Sequence, residues 1–213
     1  MKKIFKAADE LMFVRRNFKC GIFSIPVLLR LLYSTGMRIG EACSLINSDV
    51  DMSSRIILVR NTKNKRDRQL PISDSLYQVL EQYLIKRDKL PLHNMGNPNS
   101  PFLISLDGSS LTGVSARHWF YKILEASDID YIPKVGPRIH DLRHTFAVHV
   151  LDKLVKEGVD MHCCLPVLSM ALGHKCVSDT EYYVRITNQV YPHLSDTTSA
   201  ISEYVFPTIS TMK

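Results

Sequence analysis

The chain has 213 residues, 45% hydrophobic and 23% charged, with 27 Lys and Arg against 21 Asp and Glu for a formal charge of +6. That length buries a core without disulfide or metal staples, and the composition excludes a disordered, collagen-like or coiled-coil chain. The basic excess favours a polyanionic partner. The cysteines, Cys20, Cys43, Cys163, Cys164 and Cys176, are odd in number and scattered, which speaks against a disulfide framework and for a reducing compartment. Charges at Lys2, Lys3, Lys6, Asp9 and Glu10 break any signal-peptide core. No apolar run approaches the ~20 residues that span a bilayer. A cytoplasmic protein with no membrane partner is expected.

Residues 1–20 are basic and mixed, and read as a first helix or a linker. Ile25–Tyr33 reads as a buried helix, with Pro26 in its first turn and Gly36 as its stop. Met37–Leu45 starts a second, short helix just beyond that turn. Arg55–Arg60 is strand by its β-branched content, and Arg68–Ile72 is its short partner. The polar turn 61–67 between them makes a basic hairpin. Leu76, Val79, Leu80, Tyr83 and Leu84 form the stripe of an amphipathic helix. Residues 91–101 are a Pro, Asn and Gly-rich loop, and Phe102–Leu106 with Asp107-Gly108 predicts another small strand or hairpin. Thr112 caps a helix reaching about Ser127, with Trp119, Phe120, Ile123 and Leu124 apolar. A loop over 128–138 precedes a helix from about His140 to Glu157, stopped by Gly158. Leu165–Leu172 is a short helix stopped by Gly173. Ser178 and Glu181 have capping-box spacing and open another helix. The tail 191–213 carries a helical piece ending near Pro207. The sum is an α+β chain, mostly helical, with a small antiparallel sheet.

Several polar residues stand at these turns and helix starts. Arg38 follows Gly36, Lys63 lies in the basic hairpin, and His174 follows Gly173. His140 and Arg143, three apart, share a helix face. Tyr183 lies in the first turns of the newly capped helix. Two arginines offer forks for phosphate oxygens. A lysine and two histidines can donate hydrogen bonds or move protons, and a tyrosine supplies a hydroxyl that can attack. This set suits phosphoryl transfer, where charge on the phosphate oxygens must be stabilised as it develops. With no Asp/Glu cluster suited to Mg²⁺, the arginines take the metal's place. The His and Cys residues between 162 and 176 match no familiar zinc spacing, so no metal is expected.

Four stretches carry a resemblance: Tyr33–Leu45 (YSTGMRIGEACSL), Thr62–Ile72 (TKNKRDRQLPI), His140–Thr145 (HDLRHT) and Leu172–Tyr183 (LGHKCVSDTEYY). In this order and spacing the chain resembles the catalytic domain of the tyrosine recombinase (phage integrase) family, over about 20–190. The resemblance implies that family's DNA breaking-rejoining fold. It implies that Arg38 and Arg143 clamp the scissile phosphate and that Tyr183 attacks it to leave a 3′-phosphotyrosyl link. Lys63 then protonates the leaving 5′-oxygen, His140 assists proton transfer, and His174 hydrogen-bonds the phosphate. No cofactor, ATP or metal is implied. Lys65, Arg66 and Arg68 compete with Lys63, and the family spacing before the Arg-x-x-Pro-Ile strand selects Lys63. The family interval from Leu-Gly-His likewise selects Tyr183 over Tyr182. His144 reads as structural.

Arg60, Lys63, Lys65, Arg66 and Arg68 place five cations in nine positions, so Arg60, Lys65, Arg66 and Arg68 are expected to contact DNA phosphates. The partner is then double-stranded DNA. A homotetramer on DNA, with a monomer in solution and a tail 191–213 exchanged between protomers, follows from the resemblance. One departure is a longer interval between Arg143 and His174, with the extra residues placed near 158–165. Because the motifs begin by residue 33, the family's N-terminal DNA-clasping domain is expected to be absent, and DNA binding weak and poorly specific. A type IB topoisomerase-like nicking and rejoining enzyme and a non-catalytic DNA-binding remnant are the competing readings.

Overall fold

The computed structural model describes residues 1–14, 21–60, 67–132 and 135–183. By internal contacts the chain divides into two units. The first is Met1–Phe146 with Ala171–Gly173, and the second is Ala147–Met170 with the residues from His174 on.

The first unit is built around a helix that is apolar on nearly every side. In α2 (Ile25–Thr35), Ile25, Leu28, Leu29, Leu31 and Leu32 are all buried, so other elements must surround it. The described part of the preceding stretch, residues 1–14, forms α1 (Lys2–Val14), whose Ile4, Ala7 and Ala8 are buried at i, i+3, i+4 spacing. It packs on α2 and on α5 (Gly113–Ala126) as part of the core rather than as a linker. Helix α4 (Asp74–Arg87) covers another side of α2, burying Leu76, Leu80 and Tyr83. Its start is fixed by Ser73 Oγ, which accepts the Leu76 N–H at 3.3 Å. Thr112 caps α5 in the same way, accepting from Ser115 N–H at 3.2 Å. The predicted apolar set Trp119, Phe120, Ile123 and Leu124 is buried.

The basic hairpin is part of a three-stranded antiparallel sheet. Strands β2 (Ile56–Val59) and β3 (Arg68–Pro71) pair with Ile57 opposite Leu70. Burial of Ile57, Val59 and Leu70 puts one face of the sheet on the core. The two-residue β1 (Val50–Asp51), which the sequence does not announce, adds to the other edge of β2. Phe102–Leu106 adds no strand to the sheet but makes the expected small hairpin: Ile104 bridges Ser110, the Leu111 N–H donates to Leu103 O at 3.0 Å and the Ser105 N–H to Ser109 O at 2.8 Å. The Ile104 N–H is taken instead by the buried Ser24 Oγ at 3.1 Å and the Tyr83 hydroxyl at 3.2 Å.

Two later helices cross from one unit to the other, α6 (Asp141–Lys156) and α7 (Met161–Leu172). Gly158 ends α6 with φ 79°, and the Val159 N–H reaches back to Leu154 O at 3.0 Å, a Schellman-type stop. Asp160 then starts α7, its carbonyl accepting from Cys163 and Cys164. The helix therefore begins four residues before the expected Leu165, with Pro166 inside it, and takes up the long interval noted between Arg143 and His174. The next helical residues are 178–183. The capping box expected of Ser178 is absent. Thr180 and Glu181 N–H both bond Val177 O, so Ser178 is already helical and its hydroxyl donates to Cys176 Sγ at 3.0 Å. Among the described residues, no helix is long and apolar enough to cross a membrane.

Candidate active site

Two glycines shape the first unit's polar cluster. Gly36 closes α2 with φ 65°, its N–H on Leu32 O at 3.0 Å. A Cβ there would lie 2.3 Å from the Phe146 ring, so only Gly fits. Gly173 closes α7 with φ 66°. Beyond these stops the last helical carbonyls lack intrahelical donors and carry the negative end of the helix dipole.

Three arginines from three separate elements meet those carbonyls. Arg68 Nε donates to Ala171 O at 2.8 Å, Arg143 Nη2 to Leu172 O at 2.7 Å, and Arg38 Nη2 to Gly173 O at 3.1 Å. Arg143 also donates to Gly36 O at 2.7 Å and is only 2% exposed, whereas the Arg38 side chain is 29% exposed. Glu41 sits among them. It caps α3 (Ile39–Cys43) by accepting the Arg38 N–H at 2.8 Å, and its carboxylate also receives Arg38 Nη1 at 2.9 Å and Arg68 Nη2 at 2.7 Å. Two guanidiniums thus pair with one carboxylate, and with Arg143 on the adjacent Leu172 carbonyl the cluster is net positive. Burial alone would push the Glu41 carboxyl up, but the hydrogen bonds from Arg68 and from the Arg38 N–H outweigh it and hold the group below the usual range.

His140 precedes α6, and its ring meets that of His144 edge to face at 4.9 Å. Burial pulls the His140 imidazole below its ordinary range, and His144 and Arg143 add to the effect. Burial does the same to His144, against the pull of Asp141. The lowering favours the neutral ring at both positions, and a neutral His140 can accept a proton.

These shifts predict a two-stage loss of stability in acid. A histidine with a depressed folded value contributes stability above its ordinary pKa, lost as pH falls through the folded value. Glu41 behaves likewise, starting from the lower carboxylate range. Denaturant midpoints measured against pH are expected to fall first through the histidine window and then through the Glu41 window. Glu41→Gln shrinks the second step, to which the Asp51 carboxyl, lowered by hydrogen bonds from Ser53 and Ser54, also contributes, and keeps the first. An unaltered second step in that variant contradicts the assignment.

In the second unit His174 and Tyr183 stack, with ring centroids 6.0 Å apart and planes within 8°. His174 Nδ1 lies 2.8 Å from the Oγ1 of the fully buried Thr180, which fixes the imidazole's orientation. Tyr183 is 3% exposed and Tyr182 57%.

The structure thus gathers Arg38, Arg143 and, on the same helix start, His140 in one unit, and pairs His174 with Tyr183 in the other. Lys63, Lys65 and Arg66 lie outside the described residues, as does the tail 191–213. Arg60 is half-exposed, its Nε on Asp49 at 2.6 Å. Arg68 is not a surface group, since its side chain is only 9% exposed. Sequence reasoning missed Glu41 and Thr180. The Arg-x-x-Glu capping spacing signals Glu41, and nothing local signals Thr180. Among the described residues no group of His, Cys, Asp and Glu could hold a metal ion.

The profile of the phage integrase family matches residues 1–189. Tyrosine recombinase XerC of Thermodesulfovibrio yellowstonii is 32% identical over 160 residues, which are 75% of this chain and 49% of that protein. Tyrosine recombinase XerA of Pyrococcus horikoshii is 30% identical over 191 residues, 89% of this chain and 55% of that protein. Among solved structures, the XerH site-specific recombinase bound to its palindromic difH substrate aligns with a TM-score of 0.66 at 23% identity, covering 95% of this chain and 51% of that one. That likeness speaks to the fold. The chain spans about half the length of the curated relatives it matches.

Proposed function

Because this chain belongs to the phage integrase family, we propose that it is the catalytic part of a site-specific DNA recombinase working through a 3′-phosphotyrosyl intermediate. One observation carries the reading. Arg38 and Arg143, distant in sequence, meet on adjacent carbonyls at the end of α7, immediately before His174. Such a pair is preorganised to receive the non-bridging oxygens of one phosphodiester. In the proposed step Tyr183 Oη attacks phosphorus and the bond to the 5′-oxygen breaks. His140 takes the phenolic proton, Lys63 gives one to the leaving 5′-hydroxyl, and His174 bonds a phosphate oxygen. The ester is conserved in the phosphotyrosine, so a 5′-hydroxyl from another strand can reverse the attack with no ATP, cofactor or metal.

Double-stranded DNA is the proposed partner, and the likeness in fold to the Tn1549 transposon integrase, solved in complex with circular intermediate DNA, supports that choice. Arg60, Lys65 and Arg66 are the proposed phosphate contacts. Exchange between two duplexes uses four active sites, so a homotetramer on DNA is proposed, with a monomer in solution. A cytoplasmic, nucleoid-associated location fits this partner.

Binding to duplex DNA is expected to weaken steeply with salt, with a log–log slope that grows with each neutralised phosphate. A salt titration by fluorescence anisotropy checks this, and salt-independent binding contradicts it. Strand joining between two different duplexes separates recombination from topoisomerase-like rejoining within one.

A further inference from the structure

We propose that Arg68 is a positioning residue, tying the strand after the basic hairpin both to the carboxylate that holds Arg38 and to the last turn of α7. The inference rests on the recombinase reading above and deepens it. A cation in a basic hairpin is ordinarily a solvent-facing phosphate contact, and Arg60 on the neighbouring strand end is half-exposed in that manner. Arg68 is turned the other way. Its Nη1 and Nη2 meet the two Glu41 oxygens at 3.1 and 2.7 Å, and Nε reaches the Ala171 carbonyl at 2.8 Å. Both side chains of the pair are 9% exposed. The guanidinium also lies against Gly173, where an added Cβ would come within 2.9 Å of Nη1.

Each contact bears on the proposed chemistry through another residue. Glu41 binds Arg38 through both its side chain and its backbone N–H, so the place of the Arg38 fork depends on where Arg68 holds that carboxylate. The Ala171 contact fixes the turn whose next carbonyls receive Arg143 and Arg38 and whose next residue is His174. Through the chain, Arg68 also anchors the strand that leads back to Lys63. A lysine cannot do this, since its donors spring from one atom and cannot span a carboxylate and a carbonyl as the planar fork does.

The test uses the full chain with Arg68→Gln and Arg68→Lys on a nicked duplex, reading two quantities. The salt slope of DNA binding is expected to stay at the wild-type value in both variants, whereas loss of a phosphate contact lowers it by about 1. The single-turnover rate of covalent attachment at saturating DNA is expected to fall by about a hundredfold in both, as misplacement of a catalytic group does. A lowered slope with an unchanged saturating rate overturns the proposal, and so does an unchanged rate with an unchanged slope. A third reading needs no activity: Arg68→Gln is expected to move the Glu41 step of the pH–stability profile to higher pH, and an unmoved step counts against the contact. If wild type forms no adduct, the recombinase reading fails, while this third reading still decides whether Arg68 holds Glu41. Should Arg68→Gln not fold, Arg68→Lys still reads the saturating rate, and an unchanged rate in that variant overturns the proposal.

Discussion

Tyr183→Phe is expected to abolish covalent attachment to DNA while leaving DNA binding in place, and Tyr182→Phe is expected to retain attachment. The phenol oxygen is the only atom removed, and without it no bond to phosphorus can form, so the loss is complete rather than partial. The two residues are neighbours on one helical turn and point about 100° apart, so they cannot share a task. Tyr183 is the one packed face to face on His174, whose ring Thr180 orients, and Tyr182 is largely exposed. Denaturing gels of protein mixed with end-labelled nicked duplex read the outcome directly. Adduct from Tyr183→Phe at the wild-type level overturns the assignment of the nucleophile.

The two arginines are expected to separate by their effects on stability. Removing either takes away a guanidinium that would stabilise charge on the phosphate, which costs about 10³-fold in cleavage rate. Arg143 is also a structural strut. Its two donors satisfy the Gly36 and Leu172 carbonyls at the ends of two helices, and it is buried. Arg143→Ala strands both acceptors, at about 1–3 kcal/mol each. Arg38 is more exposed, and on its loss Glu41 keeps its pair with Arg68, so Arg38→Ala is expected to lower the denaturation midpoint less than Arg143→Ala. Urea titrations of the two variants beside their cleavage rates check the split. Equal destabilisation by both contradicts this reading of the cluster.

Much of the molecule was legible because its signals are local. The apolar run of α2 with its Gly36 stop, the caps at Ser73 and Thr112, and the Gly158 stop of α6 each announce an element within a few residues. What stayed hidden depends on partners far along the chain. Arg68 and Glu41 are charged, and charge in a sequence reads as surface; only folding brings β3, α3 and the end of α7 together to bury them as a set. Phe102–Leu106 has the composition of a strand, but its backbone bonds are divided among Leu45, Ser24, Tyr83 and the 109–111 return of its own hairpin rather than given to a sheet neighbour. Pro166 suits the start of a helix, which conceals the turn of α7 that precedes it. In the proposed site the arginines, His140, His174 and Tyr183 were identifiable from motif spacing, whereas Glu41 and Arg68 carry only local signals, a cap and a strand start, that do not announce their pairing, and Thr180 carries none.

The most direct measurement of the central claim is to trap the protein on a nicked duplex in the presence of a chelator and to map the nucleotide-bearing peptide by mass spectrometry. The account predicts a single linkage, from Tyr183 to a DNA 3′-phosphate, formed without added metal or ATP. A linkage at another residue or at a 5′-phosphate, or bound DNA that never becomes linked, would contradict it.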